Sequence, residues 1–296
     1  LLHMPQDADL VLAVGAGTIN DLCKYISRLR GLPCAILATA PSMDGFVSPG
    51  AALIVDHVKV TYDAQGPVAV IADTDILAQA PMEMITAGLG DMLGKYTCLL
   101  DWKLSHLITG EYYCEHVEGM VRTALRTMLS RSSRIRERDP EVIGSVTEAL
   151  VLTGIAMKFV GSSRPASGCE HHMSHFWEMQ FLMHGKKAVL HGTKVGVATI
   201  ACLQMYHMLA EVLEEASEIS PADSPADSPE LSPAVTPADF PADSPAVSAA
   251  ASGTGSIPLS ERIAGAAARP FDRSAWEENI HSVYGEAAGG ILAPEE

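Results

Sequence analysis

The chain has 296 residues, 48% of them hydrophobic, and a formal net charge of −16. That content is ample for a buried core in one large domain or two ordinary ones. The charge excludes a general nucleic-acid-binding role, because a phosphate backbone would be repelled. Much of it sits in one biased tract that carries Glu214, Glu215, Glu218, Asp223, Asp227, Glu230, Asp239 and Asp243, so the remainder is only moderately acidic. Six scattered cysteines without a C-x-x-C pair argue against a disulfide framework and a structural zinc ribbon. No signal peptide and no run of about 20 apolar residues is found, so the expectation is a cytoplasmic protein without a membrane span.

Asp9–Val14 reads as a short buried strand almost at the start of the sequence. A buried parallel strand has neighbours on both sides, so the expectation is that preceding βα units are missing from this chain. Gly15-Ala-Gly17-Thr18 follows, and Ile19–Arg30 reads as a helix with Ile19, Leu22, Tyr25, Ile26 and Leu29 on one face. Gly31 and Pro33 end it, and Cys34–Thr39 is a second apolar strand. Strand, glycine loop, helix and strand imply a parallel α/β sheet. Ala51–Asp56, Val58–Tyr62 and Val68–Ala72 are further strands, the first two suited to a hairpin.

From about Ala78 the periodicity becomes helical. Met82–Leu89, Asp91–Leu107, Glu111–Arg136, Pro140–Val160, Ser167–Phe181 and Lys194–Leu213 all carry it. Residues 1–77 are therefore expected as a partial dinucleotide-binding domain, and 78–296 as a helical domain for metal and substrate. A Pro/Ala/Asp/Ser-rich insertion at about 217–256 cannot form a core. Order is expected to resume near Leu259 and to include a helix ending at about Glu286.

Five stretches carry the chemistry. Gly15 and Gly17 let a phosphate approach the backbone at a helix N-terminus, although an ordinary tight βα turn reads the same way. Thr39, Ser42, Asp44 and Ser48 lie after the second strand, where ligand loops of parallel sheets gather. Their hydroxyls suit a phosphate or ribose, and Asp44 suits a polyol hydroxyl; a polar turn is the plain alternative. Asp91, in Gly88-Leu-Gly90-Asp91, is either a helix N-cap or a metal ligand at a helix start. His171 and His175, at i and i+4, share a helix face as metal ligands do. No H-E-x-x-H pattern exists, which disfavours a zinc protease. His191-Gly192 opens the next helix and completes an Asp/His/His set with an open position for a substrate.

The strings VGAGTINDLCKY, PSMDGFVSPGAAL, AGLGDMLGKYTCLLDWKL, SRPASGCEHHMSHFWEM and LHGTKVGVAT occur in this order. Together they resemble the glycerol-1-phosphate dehydrogenase family, which belongs with iron-containing alcohol dehydrogenases, glycerol dehydrogenases and dehydroquinate synthases. The resemblance covers most of residues 8–210 and resumes at about 270–287. It implies a partial Rossmann-like parallel-sheet domain followed by a helical metal-binding domain, α/β plus all-α. It implies Asp91, His171 and His191 as ligands of one divalent ion, zinc first, with nickel or iron as alternatives. It implies His175 beside the substrate, Gly15, Gly17, Thr18 and Asp21 near the pyrophosphate of NAD or NADP, and Thr39, Ser42, Asp44 and Ser48 on the cofactor and substrate loop. Lys95, one turn after Asp91, is expected to face a substrate phosphate. The implied reaction interconverts sn-glycerol 1-phosphate and dihydroxyacetone phosphate in a cytoplasmic homodimer, with the site in the cleft between the two domains. A dehydroquinate synthase-like lyase and an inactive truncated homologue are the competing readings.

Overall fold

The computed structural model describes residues 5–55 and 58–218. The stretch expected to resume near Leu259, and nearly all of the Pro/Ala/Asp/Ser tract, lie outside the described residues.

The N-terminal strand β1 (Val11–Gly15) pairs in parallel with β2 (Cys34–Ala38), and β2 pairs in parallel with β5 (Ala69–Ile71). Helix α1 (Gly17–Arg30) makes the crossover between β1 and β2 and ends at Gly31, whose φ of 64° closes the last turn. That left-handed conformation suits glycine. β3 (Gly50–Val55) and β4 (Val58–Asp63) form an antiparallel pair, as expected.

The burial of α1 reverses the expectation drawn from its periodicity. Ile19, Leu22 and Leu29 are exposed, whereas Asn20, Lys24 and Ser27 are buried. The cause is Lys24. Its ammonium donates to the carbonyls of Gly45, Ser48 and Gly50 at 2.7, 3.2 and 2.6 Å and pairs with Asp21 at 3.2 Å. A buried cation must have such partners, and meeting them turns the polar face of the helix inward. Leu12 and Val14 of β1 are also more than half exposed; among the described residues β1 is an edge strand.

The helices follow: α2 (Thr74–Ala78), α3 (Met82–Leu93), α4 (Lys95–Thr109), α5 (Glu115–Arg131), a 3-10 turn at Ser132–Glu137, α6 (Pro140–Val160), α7 (Cys169–Met183) and α8 (His191–Glu218). α6 carries its own start and stop signals: Asp139 accepts from the backbone N–H of Glu141, Pro140 opens the first turn, and Gly161 closes the last with φ 72°. Its buried residues Ile143, Val146 and Leu150 pack with Ile36 and Phe46 from the sheet side and with Ile85, Met92, Leu125 and Met128 from α3 and α5. Sheet and helices thus share one core. The described residues through Leu203 form one compact unit; a second begins at Gln204 and is described only as the continuation of α8.

Two helices bear on the expectation of no membrane span. Pro140–Val160 and His191–Val212, with mean hydropathies of 1.5 and 1.3, are long and apolar enough to cross a bilayer by length and composition. In α6, 61% of that stretch is buried inside the protein, which is how a core helix uses the same hydropathy.

Candidate metal centre and cofactor loop

Four helices and one loop converge on a buried polar cluster. Asp91 comes from the last turn of α3, so it is not a helix N-cap. The chain breaks at Gly94, and α4 starts with Lys95. A Cβ at Gly94 would come within 2.8 Å of Val195 on α8 and 3.2 Å of Glu170 on α7. The break is thus also where the other two helices pack closely against the chain.

Ligand atoms of Asp91, His171 and His191 all lie within 4.8 Å of one another, as one metal ion requires. His171 Nε2 is 3.5 Å from Asp91 Oδ1. The other ring nitrogen, Nδ1, lies 2.8 Å from Glu170 Oε1. That same oxygen accepts from the Gly168 N–H at 2.8 Å, and Oε2 accepts from the Thr97 hydroxyl at 2.6 Å. This carboxylate–histidine arrangement fixes the ring and leaves Nε2 free for an ion. His191 Nδ1 is buried without a hydrogen-bond partner, an orphan that a ligated ion or its surroundings would relieve. Joined to Asp91 directly or through His171 stand two further buried carboxylates, Asp44 and Glu170, and the buried ammonium of Lys95.

The electrostatics follow from this packing. Burial alone would raise the Asp91 carboxyl, but Lys95 and then the two histidines outweigh it and hold it far below the carboxylate range. Asp44 is pushed up, by burial first and by Asp91 second. His171 is raised despite its burial, because Asp91 and Glu170 flank it. His191 is pushed well down by burial, against the pull of Asp91. His175 is lowered to about 4 by burial, then by Lys59 and His171. Its ring centre lies 6.2 Å from that of His171 and 5.7 Å from that of His191. His172 is exposed.

Lys95 corrects an expectation. Its Nζ is fully buried and meets Asp44 Oδ2 at 2.6 Å, Asp91 Oδ1 at 3.1 Å and the Ala166 carbonyl at 3.0 Å. The ammonium is thus enclosed by two carboxylates and a carbonyl of the cluster, away from any substrate phosphate. Asp44, in turn, gives its backbone N–H to Asp91 Oδ2 at 2.9 Å and its carboxylate to Lys95. It is a buried brace of the cluster.

The cofactor residues divide into two groups. Gly15 ends β1, Gly17 and Thr18 open α1, and the Thr39 N–H donates to the Gly15 carbonyl at 3.0 Å. These four sit together at the C-terminal edge of the parallel strands, where ligands of such sheets bind. The N-terminus of α1 has no side-chain cap and no acidic residue in its first turn, so it is open to an anion. Ser42 is buried in the loop after β2. Asp21 and Ser48 are committed elsewhere. Asp21 accepts from Asn20 at 3.0 Å and from the Ala52 N–H at 3.3 Å and pairs with Lys24. The Ser48 hydroxyl lies 3.2 Å from Lys24 Nζ and 3.1 Å from the Gly45 carbonyl. Both fasten the loop to α1.

A second charged group adjoins the histidines. Glu178, two turns along α7 from His171, meets Lys59 of β4 at 2.6 Å and Lys194 of α8 at 3.4 Å. Sequence reasoning missed Glu170, Glu178, Lys59 and Lys194; the only local signal was that Glu170 opens the E-H-H-M-S-H string and Glu178 follows three residues after it.

Residues 1–81 match the model of the family described as iron-containing alcohol dehydrogenase. Over 201 residues the chain is 47% identical to a glycerol-1-phosphate dehydrogenase [NAD(P)+] of Halalkalibacterium halodurans, covering 68% of this chain and 50% of that protein. The chain is a relative of the glycerol-1-phosphate dehydrogenases. The enzyme of that name from the archaeon Methanosarcina mazei is 38% identical over 200 residues, 68% of this chain and 55% of its own length. The chain therefore spans about half the length of the glycerol-1-phosphate dehydrogenases it matches. The fold is shared with the crystal structure of a probable glycerol dehydrogenase from Sinorhizobium meliloti 1021, with a TM-score of 0.55 at 19% identity over 93% of this chain and 76% of that one. Glycerol dehydrogenase from Schizosaccharomyces pombe gives a TM-score of 0.53 at 20% identity over 74% and 53%. These likenesses agree with a partial Rossmann-like sheet joined to a helical body.

Proposed function

We propose that the chain is an NAD(P)- and metal-dependent oxidoreductase that interconverts sn-glycerol 1-phosphate and dihydroxyacetone phosphate. The observation that carries this reading is the convergence of Asp91, His171 and His191 behind Glu170, in a chain related to enzymes of that name. When bound, a divalent ion (zinc, nickel or iron) would polarise the reacting oxygen and a nicotinamide would carry the hydride.

The chain's own residues supply the rest. Gly15, Gly17, Thr18 and Thr39, with the open N-terminus of α1, receive the cofactor's phosphates, and Ser42 flanks them. Asp91, His171 and His191 hold the ion. Asp44 and Lys95 keep Asp91 charged and in place, and Glu170 orients His171. His175 is neutral near pH 7 because its pKa lies at about 4; it therefore relays a proton at the substrate oxygen and does not store one. Lys59 and Lys194 share the single carboxylate of Glu178, which leaves one positive charge in excess. Among the described residues this pair is the cation source next to the histidine face with protons to spare, and we assign it the substrate phosphate in place of Lys95. A cytoplasmic homodimer with its site between a nucleotide domain and a helical domain completes the reading.

The test is oxidation of NADH or NADPH by the purified chain with dihydroxyacetone phosphate, with zinc or nickel added and then chelated. Metal-dependent turnover, with much weaker turnover of unphosphorylated dihydroxyacetone, is expected. Absence of turnover alongside tight metal binding in calorimetry overturns the activity and keeps the metal site. Equal rates on both ketones overturn the phosphate assignment alone.

A further inference from the structure

The thiols of Cys169 and Cys202 lie 3.0 Å apart, Sγ to Sγ. That is about 1 Å more than a disulfide bond of about 2.05 Å. Both are free thiols. Cys169 is the first residue of α7 and is partly exposed; Cys202 is buried in α8. The pair is held in position from both sides. The Cys169 N–H donates to Asp101 Oδ2 at 2.6 Å, and the Cys202 sulfur contacts Met173 Sδ at 3.7 Å. The metal cluster uses neither cysteine.

We propose that Cys169 and Cys202 are an oxidation site that forms an intramolecular disulfide by exchange with a small disulfide such as glutathione disulfide. Exposure sets the order of events. The Cys169 thiolate attacks the oxidant, releasing one glutathione thiol and leaving a mixed disulfide at Cys169. The Cys202 thiolate then attacks the Cys169 sulfur, and the second glutathione thiol leaves. Two protein thiols are oxidised and one glutathione disulfide is reduced to two thiols, so protons and electrons balance. The bond would tie the first turn of α7, which carries Glu170 and His171, to the helix that starts with His191.

The experiment incubates the reduced 296-residue chain with glutathione disulfide, alkylates the remaining thiols and digests with trypsin without reductant. Lys186, Lys187 and Lys194 lie between the two cysteines, so a link survives as two joined peptides in mass spectrometry. The expected product is the Cys169–Cys202 pair, absent from Cys202→Ser, in which Cys169 accumulates as the glutathione adduct. Recovery of both cysteines alkylated, a lasting adduct on Cys169 in the wild type, or equally abundant links to Cys23, Cys34, Cys98 or Cys114 overturns the proposal. The readout is covalent, so it stands apart from the dehydrogenase reading.

Discussion

Glu170 holds Nδ1 of His171 at 2.8 Å while the Thr97 hydroxyl and the Gly168 N–H hold Glu170. The histidine thus has one nitrogen for the fold and one for an ion. Glu170→Gln keeps the shape and removes the charge that makes the ring a better ligand. Zinc or nickel affinity, measured by calorimetry, is expected to fall by roughly tenfold to a hundredfold. Asp91→Ala removes a ligand and is expected to abolish tight binding. Wild-type affinity in Glu170→Gln would remove Glu170 from the metal centre.

Lys95→Met leaves Asp44 and Asp91 facing each other without their shared cation. Breaking such a buried group by deleting one partner costs about 3–5 kcal/mol. A loss of that size is expected in urea unfolding of the metal-free chain. A variant of wild-type stability, altered only in the KM for a phosphorylated ketone, would restore Lys95 as a substrate contact.

Lys59→Ala and Lys194→Ala remove single ammonium groups from the proposed phosphate site. A hydrogen bond to a charged group contributes about 1.5–3 kcal/mol, so kcat/KM for dihydroxyacetone phosphate is expected to drop roughly tenfold to a hundredfold. Turnover of unphosphorylated dihydroxyacetone should change little. An equal loss on both ketones would make the lysines structural.

Much of the candidate site was legible in the sequence, and the limits have physical causes. His171, His175 and His191 declare themselves because histidines at helical spacing and before a glycine have few other reasons to cluster. Asp91 was legible as a residue but not in its place: Gly94 breaks the helix three residues later, which puts Asp91 at an end and not at a start. Lys95 looked available because spacing alone cannot reveal that a side chain is enclosed. The inward polar face of α1 was invisible for a related reason. The partners of Lys24 are carbonyls 21 to 26 residues away, and periodicity carries no information about them. The parallel pairing of β1 and β2 was readable, since a strand–helix–strand unit admits little else.

The carboxyl of Glu178 would be raised by burial, but Lys59 and then Lys194 outweigh this and hold it below its ordinary value of 4.5. A folded-state pKa below the unfolded one means that the unfolded chain takes up the proton first as pH falls. The stabilisation is complete above the ordinary value and is lost as pH drops through it towards the folded pKa. Unfolding free energies between about pH 6 and about pH 3 should therefore fall more steeply in the wild type than in Lys59→Met. Parallel curves would remove the Lys59–Glu178 contribution.

A Cβ at Gly88 would overlap the Pro41 carbonyl, and one at Gly192 would overlap the carbonyl of Ala87. Neither glycine has a side chain to offer any reaction, yet each lets one stretch of backbone lie directly on another. Gly88 seats the loop bearing Asp44 on the helix bearing Asp91, and Gly192 seats the start of the His191 helix on the same turn. The alignment of the cluster thus depends on atoms that are not there. Tolerance to substitution should run opposite to chemical interest at these places: a single methyl group at a residue that meets no substrate would separate ligands that a change at exposed His172 would leave untouched.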